Sequence, residues 1–148
     1  MNTKIKVCGL KRPEDIEAAN RLRPDYIGFV FAPGKRQLSP AAAASLRAGL
    51  APGIAAVGVF VNHNVDEVAL LCRAGAIDIV QLHGDEDTRY IARLQKQICV
   101  AVINAVPAGN AYPAPPPAAD SVLLHTLSAQ RGGRAETSHW ARRQGVHS

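Results

Sequence analysis

Long apolar runs are missing from this 148-residue chain, and so is any paired cysteine spacing. No stretch approaches the ~18 consecutive apolar residues that a membrane helix requires. The opening Met-Asn-Thr-Lys-Ile lacks the apolar core of a secretion signal. The expectation is a soluble chain with no membrane partner. Cys8, Cys72 and Cys99 lie far apart without a Cys-x-x-Cys pair, which excludes a disulfide scaffold and fits a reducing cytoplasm. Aromatic residues make up only 5%, and just Tyr26, Phe29 and Phe31 come near one another. Basic residues are scattered singly until Arg131, Arg134, Arg142 and Arg143, so no nucleic-acid-binding pattern forms and no nucleic-acid partner is expected. His63, His83, His139 and His147 share no ligand spacing, so no metal is expected either.

What remains is ordinary for one globular domain: 47% hydrophobic, 20% charged, net charge +5. That charge suits an anionic small molecule without identifying it. Short runs rich in β-branched residues recur at 5–8, 26–31, 57–62, 79–83, 100–104 and 122–125, with starts spaced by 21, 31, 22, 21 and 22 residues. About 22 residues hold one buried strand, one short helix and two loops. Helix starts fall in the intervals. Arg12-Pro13-Glu14-Asp15 places proline and acids in a first turn, and Ser39-Pro40 supplies a cap and a first helical residue. Asn64-Val65-Asp66-Glu67 and Asp85-Glu86-Asp87-Thr88 open two more. Strands apolar on both faces and alternating with helices predict a parallel sheet covered by helices.

A doubly wound sheet and a barrel both fit that alternation. The strand ends favour the barrel: Cys8, Asn62, His83, Asn104 and His125 close five of the runs. Polar residues at nearly every C-terminal strand end suit a barrel mouth, whereas an open sheet gathers only the ends near its switch point. Alternation also puts Lys6 with Cys8, and Gln81 with His83, on one face of their strands. The pattern breaks at 107–117, which holds five of the ten prolines and predicts an extended linker in place of a helix. The fold expected is an α/β barrel of the (β/α)8 type in one domain over 1–148, incomplete at about six βα units and lacking its last two strands.

Several of these motifs together resemble one family. Lys6-Val7-Cys8-Gly9-Leu10 with Arg12-Pro13-Glu14-Asp15 is similar to the N-terminal signature of phosphoribosylanthranilate isomerases. Asp25-Tyr26-Ile27-Gly28-Phe29-Val30-Phe31, Arg36 before Ser39-Pro40, Val57 to Asn62, and Val80-Gln81-Leu82-His83-Gly84-Asp85-Glu86 continue the likeness in order. The resemblance implies a TIM barrel without cofactor, acting in tryptophan biosynthesis on a phosphorylated small-molecule substrate. The implied reaction is an Amadori rearrangement that turns N-(5-phosphoribosyl)anthranilate into 1-(2-carboxyphenylamino)-1-deoxyribulose 5-phosphate. An acid protonates the ring oxygen and a base takes the C2 proton.

The resemblance places the base at Cys8, with Lys6 nearby to lower its pKa. The acid falls at His125, where the family carries aspartate; imidazole can donate a proton near neutral pH. Arg36 is implied to meet the anthranilate carboxylate or orient the substrate. Gln81 and His83 read equally as packing residues and as contacts at the mouth; with Lys6 and Arg36 they complete the candidate substrate-binding set. Taken alone, Cys72 and Cys99 read as packing residues. Residues 132–140 depart from the family's glycine-rich loop at five of nine positions, and Asn104 stands about where the family has lysine. Two other readings stay open. One is an inactive truncated remnant, and the other a non-catalytic module that self-associates through the open edges of its first and sixth strands.

Overall fold

A computed structural model describes residues 3–107 and 119–125. It contains six strands and four helices: β1 (Lys6–Cys8), α1 (Pro13–Leu22), β2 (Tyr26–Val30), α2 (Pro40–Ala48), β3 (Ala55–Phe60), α3 (Val65–Arg73), β4 (Ile79–Leu82), α4 (Thr88–Gln95), β5 (Ala101–Pro107) and β6 (Ser121–His125). All six strands are parallel and pair in sequence order. That order belongs to a barrel arc and excludes the doubly wound alternative, whose strand order reverses at a switch point.

The helix starts follow local chemistry. Asp15 accepts the backbone N–H groups of Lys11 and Arg12 at the head of α1, with Pro13 in the first turn. Ser39 Oγ accepts the Ala42 N–H, Asn64 Oδ1 the Asp66 N–H, and Asp87 Oδ1 the Tyr90 N–H. Each bond satisfies a donor that the first helical turn leaves unpaired.

Registers sort the strand residues into two faces. Cys8, Gly28, Val57, Ile79 and Ala101 share one level of the inner face, and Val30, Val59, Gln81 and Ile103 the next. The opposite faces send Ile27, Phe29, Phe60, Val80, Leu82 and Val102 into one cluster with Ile16, Leu46, Val68, Leu71, Ile91 and Leu94 from the helices. Phe31 and Phe60 stack within it, ring centroids 4.9 Å apart. The principal core therefore lies between sheet and helices, and the inner face is left to the site.

One repeated device sets the strand pairs. An aspartate stands just before every even-numbered strand and accepts a backbone N–H at the start of the preceding odd one. Asp25 takes the Ile5 N–H at 2.8 Å, Asp78 the Ala56 N–H at 2.8 Å, and Asp120 the Val102 N–H at 2.7 Å. Asp78 and Asp120 return their own N–H groups to the carbonyls of Ala56 and Val102. Arg47 of α2 also pairs with Asp78, which ties a helix to the β3–β4 clamp.

Two expectations need correction. β3 begins at Ala55 and ends at Phe60, and β5 runs through Pro107, because Ala105 and Val106 extend the apolar stretch beyond Asn104. Asn104 is thus inside its strand and in register with Leu82, on the helix-facing side. It does not belong to the mouth. Pro107 ends β5, whereas the rest of the proline run and everything after His125, including Gly132-Gly133, His139 and His147, lie outside the described residues.

Replacing Asp78 with alanine strands the N–H of fully buried Ala56 and unpairs Arg47. The expected loss is about 2 kcal/mol of unfolding free energy in urea. Asp25→Ala, whose partner Ile5 is 58% exposed, is expected to cost visibly less because water can replace the carboxylate.

Candidate active site

The inner face carries its polar groups toward the C-terminal ends of the strands. Cys8 is the last residue of β1, and its side chain shares the inner face with Lys6. Gly28 lies opposite it on β2: a Cβ there would come within 2.6 Å of the Cys8 sulfur and 3.1 Å of its Cα. The glycine is the space in which the thiol sits. Gly9 follows with φ +90°, a conformation that an L side chain resists, and the place its Cβ would need is filled by the Arg36 side chain.

Arg36 reaches Gly9 because residues 31–38 fold back over the end of β2. The Leu38 N–H donates to the Val30 carbonyl, Gln37 Nε2 to the Phe31 carbonyl, and Lys11 Nζ to the Lys35 carbonyl. The guanidinium thus lies over the residue next to Cys8, and it remains exposed.

Lys6 spans the interior. Its ammonium donates to Gln81 Oε1 on β4, three strands away along the sheet, which only a curled sheet allows. Gln81 is 3% exposed. Burial pushes the Lys6 ammonium below its ordinary pKa, and Cys8 nearby, as thiolate, acts to raise it again. Gln81 Nε2 lies 3.4 Å from His83 Nδ1, and the His83 and His125 rings meet with centroids 4.5 Å apart. His125 is the last residue of β6 and shares the inner face with Leu123 and Ser121. The structure therefore joins Lys6, Gln81, His83 and His125 in one chain of contacts, with Cys8 beside Lys6 and Arg36 over Gly9.

The rim is fixed by Asn62, expected as a strand end at the mouth, and by Asp85 and Glu86, expected at a helix start. Glu86 accepts the N–H of Asn62 and of Gly84, and Asn62, at φ 53°, accepts the Asp85 N–H. Asn62 thus stitches the loops after β3 and β4 together and does not line the mouth. The acid–amide pattern itself, Asn62 with Asp85-Glu86, is visible in the sequence, but its pairing across 24 residues is not. His63 Nδ1 is 3.2 Å from the Val61 carbonyl, and the ring meets the edge of Phe60, away from His83. Among the described residues no cluster of histidine, cysteine and carboxylate has metal-site geometry, and no helix is long and apolar enough to cross a membrane.

The other cysteines differ from Cys8. Cys72 packs against the core, and burial pushes its thiol up to about 11. Cys99 is exposed before β5, a correction to its reading as a packing residue; its neighbour Ile98 fills that role.

The model of N-(5'-phosphoribosyl)anthranilate isomerases matches residues 5–146. An N-(5'-phosphoribosyl)anthranilate isomerase of Endomicrobium trichonymphae is 43% identical over 138 residues, covering 93% of this chain and 69% of its own length. Other curated relatives match over shorter stretches, and there the chain spans less than half of their length. The crystal structure of the phosphoribosyl anthranilate isomerase from Thermus thermophilus superposes with TM-score 0.74 at 35% identity, covering 82% of this chain and 62% of that one. A second isomerase structure, in complex with reduced 1-(o-carboxyphenylamino)-1-deoxyribulose 5-phosphate, has TM-score 0.66 at 33% identity, covering 74% and 56%.

With a thiol pKa near 11, Cys72 holds about one thiolate in a thousand at pH 8. Iodoacetamide is expected to label exposed Cys8 at least about tenfold faster than Cys72, read by peptide mass mapping. Gly28→Ala should slow labelling at Cys8 without changing Cys99. Equal rates at Cys8 and Cys72 would contradict the site described.

Proposed function

The chain belongs to the N-(5'-phosphoribosyl)anthranilate isomerase family, and from that premise we propose that it is a cytoplasmic isomerase of tryptophan biosynthesis. Its reaction is the Amadori rearrangement of N-(5-phosphoribosyl)anthranilate. The observation that most supports this reading is the grouping of Lys6, Cys8, Gln81, His83 and His125 on the inner face, with Cys8, His83 and His125 at the C-terminal ends of parallel strands. Barrel enzymes carry their chemistry at that end.

In this reading His125 protonates the furanose oxygen, so that the C1–O bond opens as the anilinic nitrogen forms an imine. Cys8, as thiolate beside the Lys6 ammonium, then takes the C2 proton to give the enolamine, which tautomerises to the ketone. The substrate is an anion at both its carboxylate and its phosphate. In this reading Arg36, whose side chain lies exposed over Gly9, meets the carboxylate. His83 and Gln81 border the acid. No cofactor takes part.

Cys8→Ala should lower turnover of freshly generated substrate, followed by fluorescence, by 10²-fold or more, the usual scale of a placed proton-transfer group. His125→Asp should raise it. Turnover unchanged by Cys8→Ala would remove the base assignment; loss with His125→Asp would remove the acid assignment.

A second reading concerns assembly. Among the described residues β1 and β6 are the sheet's edges, and Val7 of β1 (46%) and Ile5 just before it (58%) are exposed on the face away from the site. Unpaired backbone flanked by apolar side chains recruits another strand. Self-association through those edges is expected in gel filtration at micromolar concentration, and Val7→Lys should weaken it. A monodisperse monomer would overturn this reading.

A further inference from the structure

The Lys6–Gln81–His83 chain decides where a proton sits. Lys6 offers only donors, so its bond to Gln81 Oε1 settles which end of the amide faces β1. The amide nitrogen then faces His83 Nδ1 at 3.4 Å, and an amide NH2 can only donate. Nδ1 must accept. A proton placed there would set two donors against each other at a glutamine only 3% exposed, whose burial bars water from relieving the clash. His83 in turn touches His125.

Resting on the isomerase reading, we propose that Gln81 is a positioning residue: pinned by Lys6, it holds His83 as the neutral Nε2–H tautomer, so that the proton of the histidine pair is carried by His125. Two imidazoles 4.5 Å apart disfavour a second positive charge, and the lock decides which ring yields. His83 becomes a fixed donor at the mouth through Nε2. Among the described residues, Lys6 and Cys8 bring ionisable groups to the site from β1, and Asp85 and Glu86 lie in the turn after β4, where Glu86 accepts the Asn62 and Gly84 N–H groups. The inner faces of β3 and β5 supply none: Ala55, Val57 and Val59 line one, and Ala101, Ile103 and Ala105 the other.

The tautomer can be read without turnover, by long-range 1H–15N correlation on the uniformly 15N-labelled full chain at pH 7. His83→Gln assigns the resonances. The expected spectrum shows His83 with an unprotonated Nδ1 and a protonated Nε2. Gln81→Glu, nearly the same in shape, replaces the donor with a carboxylate and should move a proton onto His83 Nδ1. In the isomerase assay the same variant should shift the acid limb of the kcat pH profile. A native His83 already protonated on Nδ1 at pH 7, or a Gln81→Glu spectrum identical to the native one, would overturn the proposal. Since neither spectrum needs substrate, an inactive chain with the expected tautomer would reject the isomerase reading alone.

Discussion

A lysine ammonium crossing the inside of the sheet is the contact on which the rest of this site depends. Placing Lys6 on the inner face of β1 buries most of its side chain, which costs charge solvation. The cost is offset only if acceptors are brought to the ammonium. Gln81 supplies one from β4, and the neighbouring Cys8 favours the charged form. For the first partner to be within reach, four successive strands must curl, so the same contact reports the barrel's curvature and fixes the polar centre of its mouth. Once Gln81 is held, its amide orientation is no longer free, and the order it imposes passes to His83 and on to His125.

The two ends of the sheet divide the work. At the N-terminal ends Asp25, Asp78 and Asp120 bind strands in pairs, β1 with β2, β3 with β4, β5 with β6. At the C-terminal ends no such repeat occurs among the described residues; Arg36, Asn62 and Glu86 tie individual loops to their neighbours. A regular, bonded base and an irregular, polar rim let the strands stay put while the loops carry the chemistry, the arrangement general to barrel enzymes.

Most of the architecture was legible in the sequence because it rests on local signals. Apolar runs at near-constant spacing gave strand count and parallel pairing, and Ser39, Asn64 and Asp87 cap the helices their positions announce. Side-chain alternation correctly joined Lys6 with Cys8, and Gln81 with His83. It misplaced Asn104, because a polar residue was taken for a strand end when the strand continued through Ala105 and Val106. The aspartate clamps were present as Asp25-Tyr26-Ile27, Asp78-Ile79-Val80 and Asp120-Ser121-Val122, yet their meaning depends on which backbone lies opposite, which spacing alone does not reveal. The links from Lys6 to Gln81 and from Asn62 to Glu86 are likewise products of curvature, spanning 75 and 24 residues.

The contact between β1 and β4 can be tested directly by a double-mutant cycle on unfolding free energy, with Lys6→Met, Gln81→Leu and the two combined. A bond across the interior predicts strong non-additivity: each single variant strands a buried polar partner, and the double variant recovers about 1–3 kcal/mol relative to the sum. Additive losses, within about 0.5 kcal/mol, would mean that the two side chains do not meet, and the curled sheet with its shared polar centre would have to be abandoned.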